Sequence, residues 1–254
     1  MRRPDLRRLA ASLATRLPKS LTTQSPRDHR DPDEVFQRRR RVVAAFSVAG
    51  AGLLGASLST KPGSPRFYVL TLGVAATWVT GGFASGPLHL GRTVSRDQRL
   101  RRPVLTPVVT GVAAFGFFYG CALVCTRIPL LRHAIARILT FADEGATPLV
   151  ALTACANAVA EEVFFRGALY AAIGEGRQVA VSTGVYTVAT VATRNPALVL
   201  AAAAMGGLFG LQRRATGGIQ APILTHLTWS VLMLRYLPPL FRQGHDTIPT
   251  ASLS

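Results

Sequence analysis

The segment AVAEEVFFRGALY, Ala158–Tyr170, places two carboxylates and one guanidinium inside a run of apolar and small residues. The charged residues Glu161, Glu162 and Arg166 lie near the middle of the segment Thr147–Ile173, which would be about 40 Å long as a helix. A charge at the centre of a bilayer costs about 2.5–3.5 kcal/mol on insertion scales. Such residues are rare and usually functional, so the segment predicts a polar site inside a membrane.

The three charged residues do not share one helix face. Glu162 and Arg166 are four positions apart and can pair on the same face. Glu161 projects about 100° around the helix and has no partner within its own segment. One interpretation is that all three only hold helices together through buried polar contacts. The second, which the segment favours, is that Glu162 and Arg166 form a structural pair while Glu161 faces a cavity and acts as a base.

Long uncharged runs recur on both sides of this segment, and a bilayer core requires about 20 apolar residues in a helix. The runs are Val42–Ser59, Phe67–Ser85 and Val104–Thr126 before it, and Val179–Thr193, Pro196–Gln212 and Ala215–Leu234 after it. Together with Thr147–Ile173 they predict an all-α polytopic membrane protein with about seven transmembrane helices. The last four would form a compact core at the C-terminal end.

The pattern divides the chain into five parts. They are a basic N-terminal tail at 1–41, three transmembrane helices at 42–126, an interfacial connector at 127–146, a core at 147–241 that contains the charged segment, and a C-terminal tail at 242–254. Within the first tail, leucines recur at helical spacing over Leu6–Leu17. They are typical either of an amphipathic helix on a membrane surface or of an unstructured tail with chance leucines.

The basic residues are distributed asymmetrically around the predicted spans. The net charge is +17, and residues 1–41 contain 12 Lys and Arg against 5 acids. With the N-terminus inside, the inside segments hold 20 basic residues and the outside segments hold 8. Such a bias is typical of cytoplasmic loops. Membrane orientation therefore explains the basicity better than a nucleic-acid partner, and anionic lipid headgroups are expected contacts.

A second polar position lies in the last apolar run, PILTHLTWSVLM, Pro222–Met233. His226 stands in its middle, and Ser230 follows four residues later on the same helix face. A single histidine inside a membrane helix is more often a packing residue than a catalytic one. We regard His226 as a candidate because Glu161 is expected across the helix bundle from it.

The two polar segments resemble the motifs of a known family. EEVFFRG, Glu161–Gly167, is similar to the EExxxR motif of the CAAX-protease and bacteriocin-processing (CPBP, or Abi) family of intramembrane glutamate proteases. THLTWS, Thr225–Ser230, is similar to the closing HxxxN/B motif of that family. The resemblance covers about Thr147 to Tyr236. It implies an intramembrane endopeptidase that hydrolyses peptide bonds of a membrane-associated protein or peptide.

The resemblance also implies roles for individual residues. Glu161 would activate water, Glu162 and Arg166 would support it, and His226 would hold the oxyanion of the substrate carbonyl. In the family a histidine in an FxxxH motif on the next helix assists, and an asparagine completes the closing motif.

The chain departs from the family pattern at two of these positions. In VYTVATVATRNP, Val185–Pro196, Tyr186 aligns with the phenylalanine and Thr190 with the histidine, while Ser230 occupies the place of the asparagine. Threonine does not titrate near neutral pH, and serine has a shorter reach than asparagine. Thr190 and Ser230 complete the candidate site. Two functions stay open: a protease with reassigned chemistry, or a catalytically impaired CPBP-like protein that acts as a binding or scaffold module. A transporter is a third alternative, although the chain has no internal repeat.

Cofactors, partners and location follow from the same features. Catalytic zinc usually takes three protein ligands, and His226 is the one histidine of five in the motif core, so zinc is disfavoured and no cofactor is expected. The expected partners are membrane lipids and a membrane-associated peptide or protein substrate; the sequence leaves the oligomeric state open. The chain contains 27 Arg and 2 Lys, which indicates a GC-rich bacterial genome. We therefore expect a multi-pass protein of the inner (plasma) membrane with a cytoplasmic N-terminus.

Overall fold

The computed structural model describes residues 32–94, 100–145, 147–174 and 176–242. These residues form eight helices and one antiparallel pair of two-residue strands, which confirms the predicted all-α class. The helices are α1 Asp33–Ser57, α2 Pro65–Ala84, α3 Leu105–Cys125, α4 Pro129–Asp143, α5 Thr147–Ala172, α6 Gln178–Val191, α7 Pro196–Thr216 and α8 Gln220–Arg242. The strands are β1 Thr93–Val94 and β2 Leu100–Arg101.

Four of the described helices, α2, α3, α5 and α7, are long and apolar enough to cross a membrane. The chain is therefore a multi-pass membrane protein, but the predicted number of seven spans is not confirmed. Helix α1 begins with Asp33 and Glu34 and includes the four arginines 38–41. Helix α6 has 14 residues, so it is about 21 Å long, whereas the hydrocarbon core is about 30 Å thick.

The predicted division of the chain stays a prediction, although parts of it can be located. Residues 1–31, with the leucines at Leu6–Leu17, lie outside the described residues, as do 243–254 of the predicted C-terminal tail. Residues 33–41 form the beginning of α1. The predicted connector at 127–146 contains α4, which buries Ala134, Ile135 and Leu139 on one face.

Local sequence signals account for the ends of α7. Asn195 precedes the helix, and its side-chain oxygen accepts hydrogen bonds from the backbone N–H groups of Ala197 and Leu198 at 3.0 and 3.2 Å. Pro196 follows at the first helical position, where a missing N–H costs little. Gly217 ends the helix at φ +69°, a left-handed conformation that glycine adopts without steric cost.

A close contact between two loops sets the start of α8. The backbone N–H groups of Ile219 and Gln220 donate to the carbonyls of His89 and Leu90 at 2.9 and 3.0 Å. Gly218 lies so close to the backbone of Leu90 that a Cβ atom would overlap it. This contact fixes the entry of the helix that carries His226.

The main aromatic core lies where α1 and α2 pack against the charged part of α5. The indole ring of Trp78 on α2 packs on Phe164 and Phe165, with ring centroids 4.6 and 4.9 Å apart. Gly50 on α1 lies directly against the same indole. The N-terminal helices therefore support the EExxxR segment by packing, although they contribute none of its charged residues.

Candidate active site

The charged segment of α5 departs from α-helical winding. Residues Glu162–Leu169 form a π-helix inside α5, and every one of these eight residues is buried. Short π-helical segments inside α-helices occur frequently at functional sites. The side chain of Arg213, on α7, donates from Nε to the carbonyl oxygen of Arg166 at 2.8 Å and so links α7 to the π-helical segment.

An ion pair and a histidine form the centre of the site. Arg166 Nη1 donates to Oε1 of Glu162 at 3.2 Å, and both side chains are fully buried. Nδ1 of His226, on α8, lies 3.0 Å from the same Glu162 oxygen. The imidazole therefore contacts Glu162, whereas the sequence led us to expect His226 across the bundle from Glu161.

Two aromatic contacts hold these groups in place. The imidazole of His226 stacks on Phe209 of α7, with centroids 4.7 Å apart and the planes 27° from parallel. The guanidinium of Arg166 lies 5.0 Å from the centroid of Phe209 and 4.6 Å from that of Tyr186. Cation–π contacts of this kind are stronger when the cation is desolvated, as it is here.

Glu161 has a different environment from Glu162. It is half-buried, and its Oε2 accepts a hydrogen bond from the hydroxyl of Tyr186 on α6 at 2.6 Å. Within the described part of the chain, no hydrogen bond reaches Oε1 of Glu161. One oxygen of this carboxylate is thus fixed by a neutral donor while the other is available to a small molecule.

Tyr186 is the contact that the sequence analysis missed. The motif comparison aligns Tyr186 with the family's phenylalanine, which has no polar side-chain atom, and so does not place it among the predicted site residues. The signal was the hydroxyl itself, because a tyrosine in an apolar environment usually needs a hydrogen-bond partner.

The structure does not bring the other two predicted residues into this network. The hydroxyl of Thr190 is buried and donates to the carbonyl of Tyr186, one turn earlier in the same helix, at 2.8 Å. Ser230 is half-buried, and its side chain makes no hydrogen bond within the described residues. Neither residue contacts Glu161, Glu162 or His226 through a hydrogen bond of the described chain.

Several buried polar atoms near the ion pair have no protein partner among the described residues. They are Oε2 of Glu162, Nε and Nη2 of Arg166, Oγ1 of Thr183 and Nε1 of Trp229. Buried polar atoms are normally hydrogen-bonded. These five atoms make the interior around the ion pair polar.

A catalytic zinc site usually has three protein ligands. Among the described residues there is no group of three or more His, Cys, Asp or Glu side chains that could hold a metal ion. Glu162 and His226 are bonded to each other, and Glu161 is bonded to Tyr186. The expectation that the site works without a cofactor stays a prediction.

Comparison with known proteins gives one match. Residues 143–232 match the family model described as Type II CAAX prenyl endopeptidase Rce1-like. The matched segment includes all six predicted site residues, and the match supports the family predicted from the two motifs. No curated protein and no solved structure matches the chain.

Proposed function

We propose that this chain, of which residues 143–232 match the CAAX prenyl endopeptidase family, is an intramembrane endopeptidase in which Glu161 activates water. The observation that carries the proposal is the contrast between adjacent carboxylates. Glu162 is fully buried in an ion pair, whereas Glu161 is half-buried and has one oxygen without a protein partner. A general base needs such an oxygen within hydrogen-bond reach of the water that it deprotonates.

The reaction follows from this arrangement. Oε1 of Glu161 takes a proton from water, and the hydroxide oxygen attacks the carbonyl carbon of the scissile amide. The carbonyl electron pair moves to its oxygen, which becomes the oxyanion. Collapse of this intermediate breaks the C–N bond, and the leaving nitrogen must receive a proton. Burial of the site strengthens each electrostatic contact to the developing charge.

His226 is suited to stabilise the oxyanion when both of its ring nitrogens carry protons. Nδ1 then donates to Glu162, and Nε2 donates to the substrate oxygen. In this state the charges of Glu161, Glu162, Arg166 and His226 sum to zero, with two negative and two positive groups. A neutral cluster is the least costly arrangement for charged groups in a low-dielectric interior.

The experiment uses purified protein in phosphatidylethanolamine and phosphatidylglycerol vesicles. The probes are a farnesylated peptide with a CAAX-type C-terminus and an unprenylated membrane-inserted peptide, with products identified by mass spectrometry. We expect cleavage of a probe by the wild type and a loss of at least about 10²-fold in Glu161→Gln. The matched control is Glu144→Gln, which alters an exposed carboxylate outside the site. Unchanged cleavage by Glu161→Gln would reject the mechanism.

A second candidate function has its own observation. The hydroxyl of Thr190 is bonded to its own helix, and the side chain of Ser230 makes no hydrogen bond in the described chain, so two family positions contribute no contact to the network. This favours a catalytically impaired CPBP-like protein that binds a membrane peptide without cutting it. Binding of both peptide probes without cleavage, in the wild type and in Glu161→Gln alike, would support this function.

The location is proposed from the charge pattern. The excess of basic residues on the predicted inner side, 20 against 8, supports a cytoplasmic N-terminus, and the 27 Arg against 2 Lys are the basis for proposing a bacterial inner membrane. Reporter fusions test the orientation. An N-terminal fluorescent protein should be active in the cytoplasm, and an N-terminal alkaline phosphatase should be inactive.

A further inference from the structure

The proposed reaction lacks one part, which is the group that delivers a proton to the leaving nitrogen. In the related family a histidine on the helix after EExxxR assists the glutamate, but that position is Thr190 here. Thr190 cannot replace it, because its hydroxyl is committed to the carbonyl of Tyr186 at 2.8 Å. The residue of α6 that reaches the glutamate is Tyr186, one turn away, at 2.6 Å from Oε2 of Glu161.

The position of the Tyr186 ring is determined by its neighbours. Phe165, in the π-helical segment, packs on the ring with centroids 4.8 Å apart at 55°. The guanidinium of Arg166 lies 4.6 Å from the ring centroid. Gly206 of α7 also lies beside the ring, because a Cβ atom there would be 3.3 Å from Cδ1 of Tyr186. Three residues on α5 and α7 therefore hold the hydroxyl on the carboxylate of Glu161.

We propose that Tyr186 is a catalytic residue that carries a proton between Glu161 and the leaving amine, in the place of the family's histidine. This inference rests on the proposed function. Tyrosine is one of the side chains that act as general acids in enzymes. A hydroxyl 2.6 Å from a carboxylate oxygen has the short, direct contact through which a proton moves between the two groups.

The proton transfers balance over one turnover. Water gives one proton to Glu161 as its oxygen attacks the carbonyl carbon. When the C–N bond breaks, its electron pair stays on the nitrogen, and the hydroxyl of Tyr186 gives its proton to that nitrogen. The carboxyl group of Glu161 then turns its protonated oxygen toward Tyr186, and the phenolate takes the proton from it. Glu161 and Tyr186 return to their initial states, and one water molecule has been added across the amide.

The test is Tyr186→Phe, which keeps the ring and removes the hydroxyl. We expect kcat for the peptide probe to fall about 10²–10⁴-fold, the range for loss of a positioned acid or base. The matched control is Tyr119→Phe, which removes the hydroxyl of a half-buried tyrosine on α3 and should change cleavage less than twofold.

A second substrate separates proton donation from a structural role. The same peptide with an ester at the scissile position has an oxygen leaving group, which needs a donated proton less than an amine does. Tyr186→Phe should therefore retain at least tenfold more of its ester activity than of its amide activity. Adding Thr190→His to Tyr186→Phe should raise the amide activity at least tenfold above that of Tyr186→Phe alone.

The outcomes distinguish this inference from the function on which it rests. Cleavage that depends on Glu161 but persists in Tyr186→Phe would overturn the role of Tyr186 alone. An equal loss of amide and ester activity would also overturn it, since that result indicates a structural role. Failure of the wild type to cleave either probe would overturn the proposed function together with the inference.

Discussion

Nδ1 of His226 lies 3.0 Å from Oε1 of Glu162. The two residues are 64 positions apart in the sequence, and their contact joins α8 to α5. The same oxygen accepts from Arg166, so one carboxylate oxygen receives both contacts. The exposed fractions of the Glu162 and His226 side chains are 0% and 7%. Glu162 is therefore the residue that connects the two motifs, and Glu161 beside it is left for other contacts.

Removal of Glu162 should destabilise the fold. Glu162→Ala leaves the buried Arg166 without its carboxylate partner, and breaking a buried pair in this way typically costs about 3–5 kcal/mol. We expect a loss of this size in the free energy of unfolding, measured by titration of the purified protein with sodium dodecyl sulfate in mixed micelles. Glu144→Ala, at an exposed carboxylate, should change it by less than about 0.5 kcal/mol.

The contact between Glu162 and His226 predicts that mutations of the two residues have non-additive effects on the free energy of unfolding. His226→Ala alone should lower this free energy, and the double mutant Glu162→Ala/His226→Ala should lower it by less than the sum of the two single effects. The expected coupling is about 1.5–3 kcal/mol, the range for hydrogen bonds to charged groups. Additive losses in the same titration would show that the two side chains do not interact in solution.

Only part of this arrangement could be predicted from the sequence. The spacing of four between Glu162 and Arg166 sufficed to predict a shared helix face. The contact of His226 with Glu162 could not be predicted, because the angle between Glu161 and Glu162 was taken from ideal α-helical winding. The winding changes at this point, since Glu161 is the last α-helical residue before the π-helical segment begins at Glu162.

Gly50 and Gly52, two positions apart on α1, should differ in how replacement by alanine changes the free energy of unfolding. A Cβ atom at Gly50 would overlap the indole of Trp78, whereas a Cβ atom at Gly52 would meet nothing within 4 Å. Gly52→Ala should therefore be neutral or stabilising, because alanine favours helices by about 1 kcal/mol over glycine. Gly50→Ala should destabilise by about 1–3 kcal/mol, because Trp78 must move. Equal effects in the detergent titration would contradict this packing.

Trp78 should be important for the site although it lies outside both motifs. Its ring packs on Phe164 and Phe165, which belong to the π-helical segment. Trp78→Ala should cost about 3–5 kcal/mol in unfolding free energy, as large-to-small aromatic changes in cores do. The matched control is Phe117→Ala on α3, where 65% of the side chain is exposed, and the expected loss is less than about 1 kcal/mol.

The spacing of the motifs also does not predict the contact between Tyr186 and Glu161. A motif comparison assigns Thr190 to the histidine position, but it gives no information on which hydroxyl of α6 reaches Glu161. The hydroxyl of Thr190 donates to the backbone carbonyl of Tyr186, one turn earlier, as threonine in membrane helices often does, and the side chain of Tyr186 has the longer reach. Which hydroxyl reaches Glu161 depends on the length of the side chain and on the packing of α6 against α5. The spacing of the motif contains neither kind of information.

Arg213 should matter for the geometry of the π-helical segment. Its Nε donates to the carbonyl oxygen of Arg166 at 2.8 Å, and its guanidinium lies 5.1 Å from the ring centroid of Tyr170. Lysine keeps the charge but lacks the planar group that makes both contacts. Arg213→Lys should therefore lower the unfolding free energy by about 1–3 kcal/mol, the cost of a buried group that loses its partner.

Cleavage of the peptide probe by Arg213→Lys should fall about tenfold, which corresponds to a barrier about 1.4 kcal/mol higher. Arg127→Lys, at an exposed arginine beside α3, is the control and should change neither quantity. If both variants behave alike, the bond from Arg213 does not support the active segment.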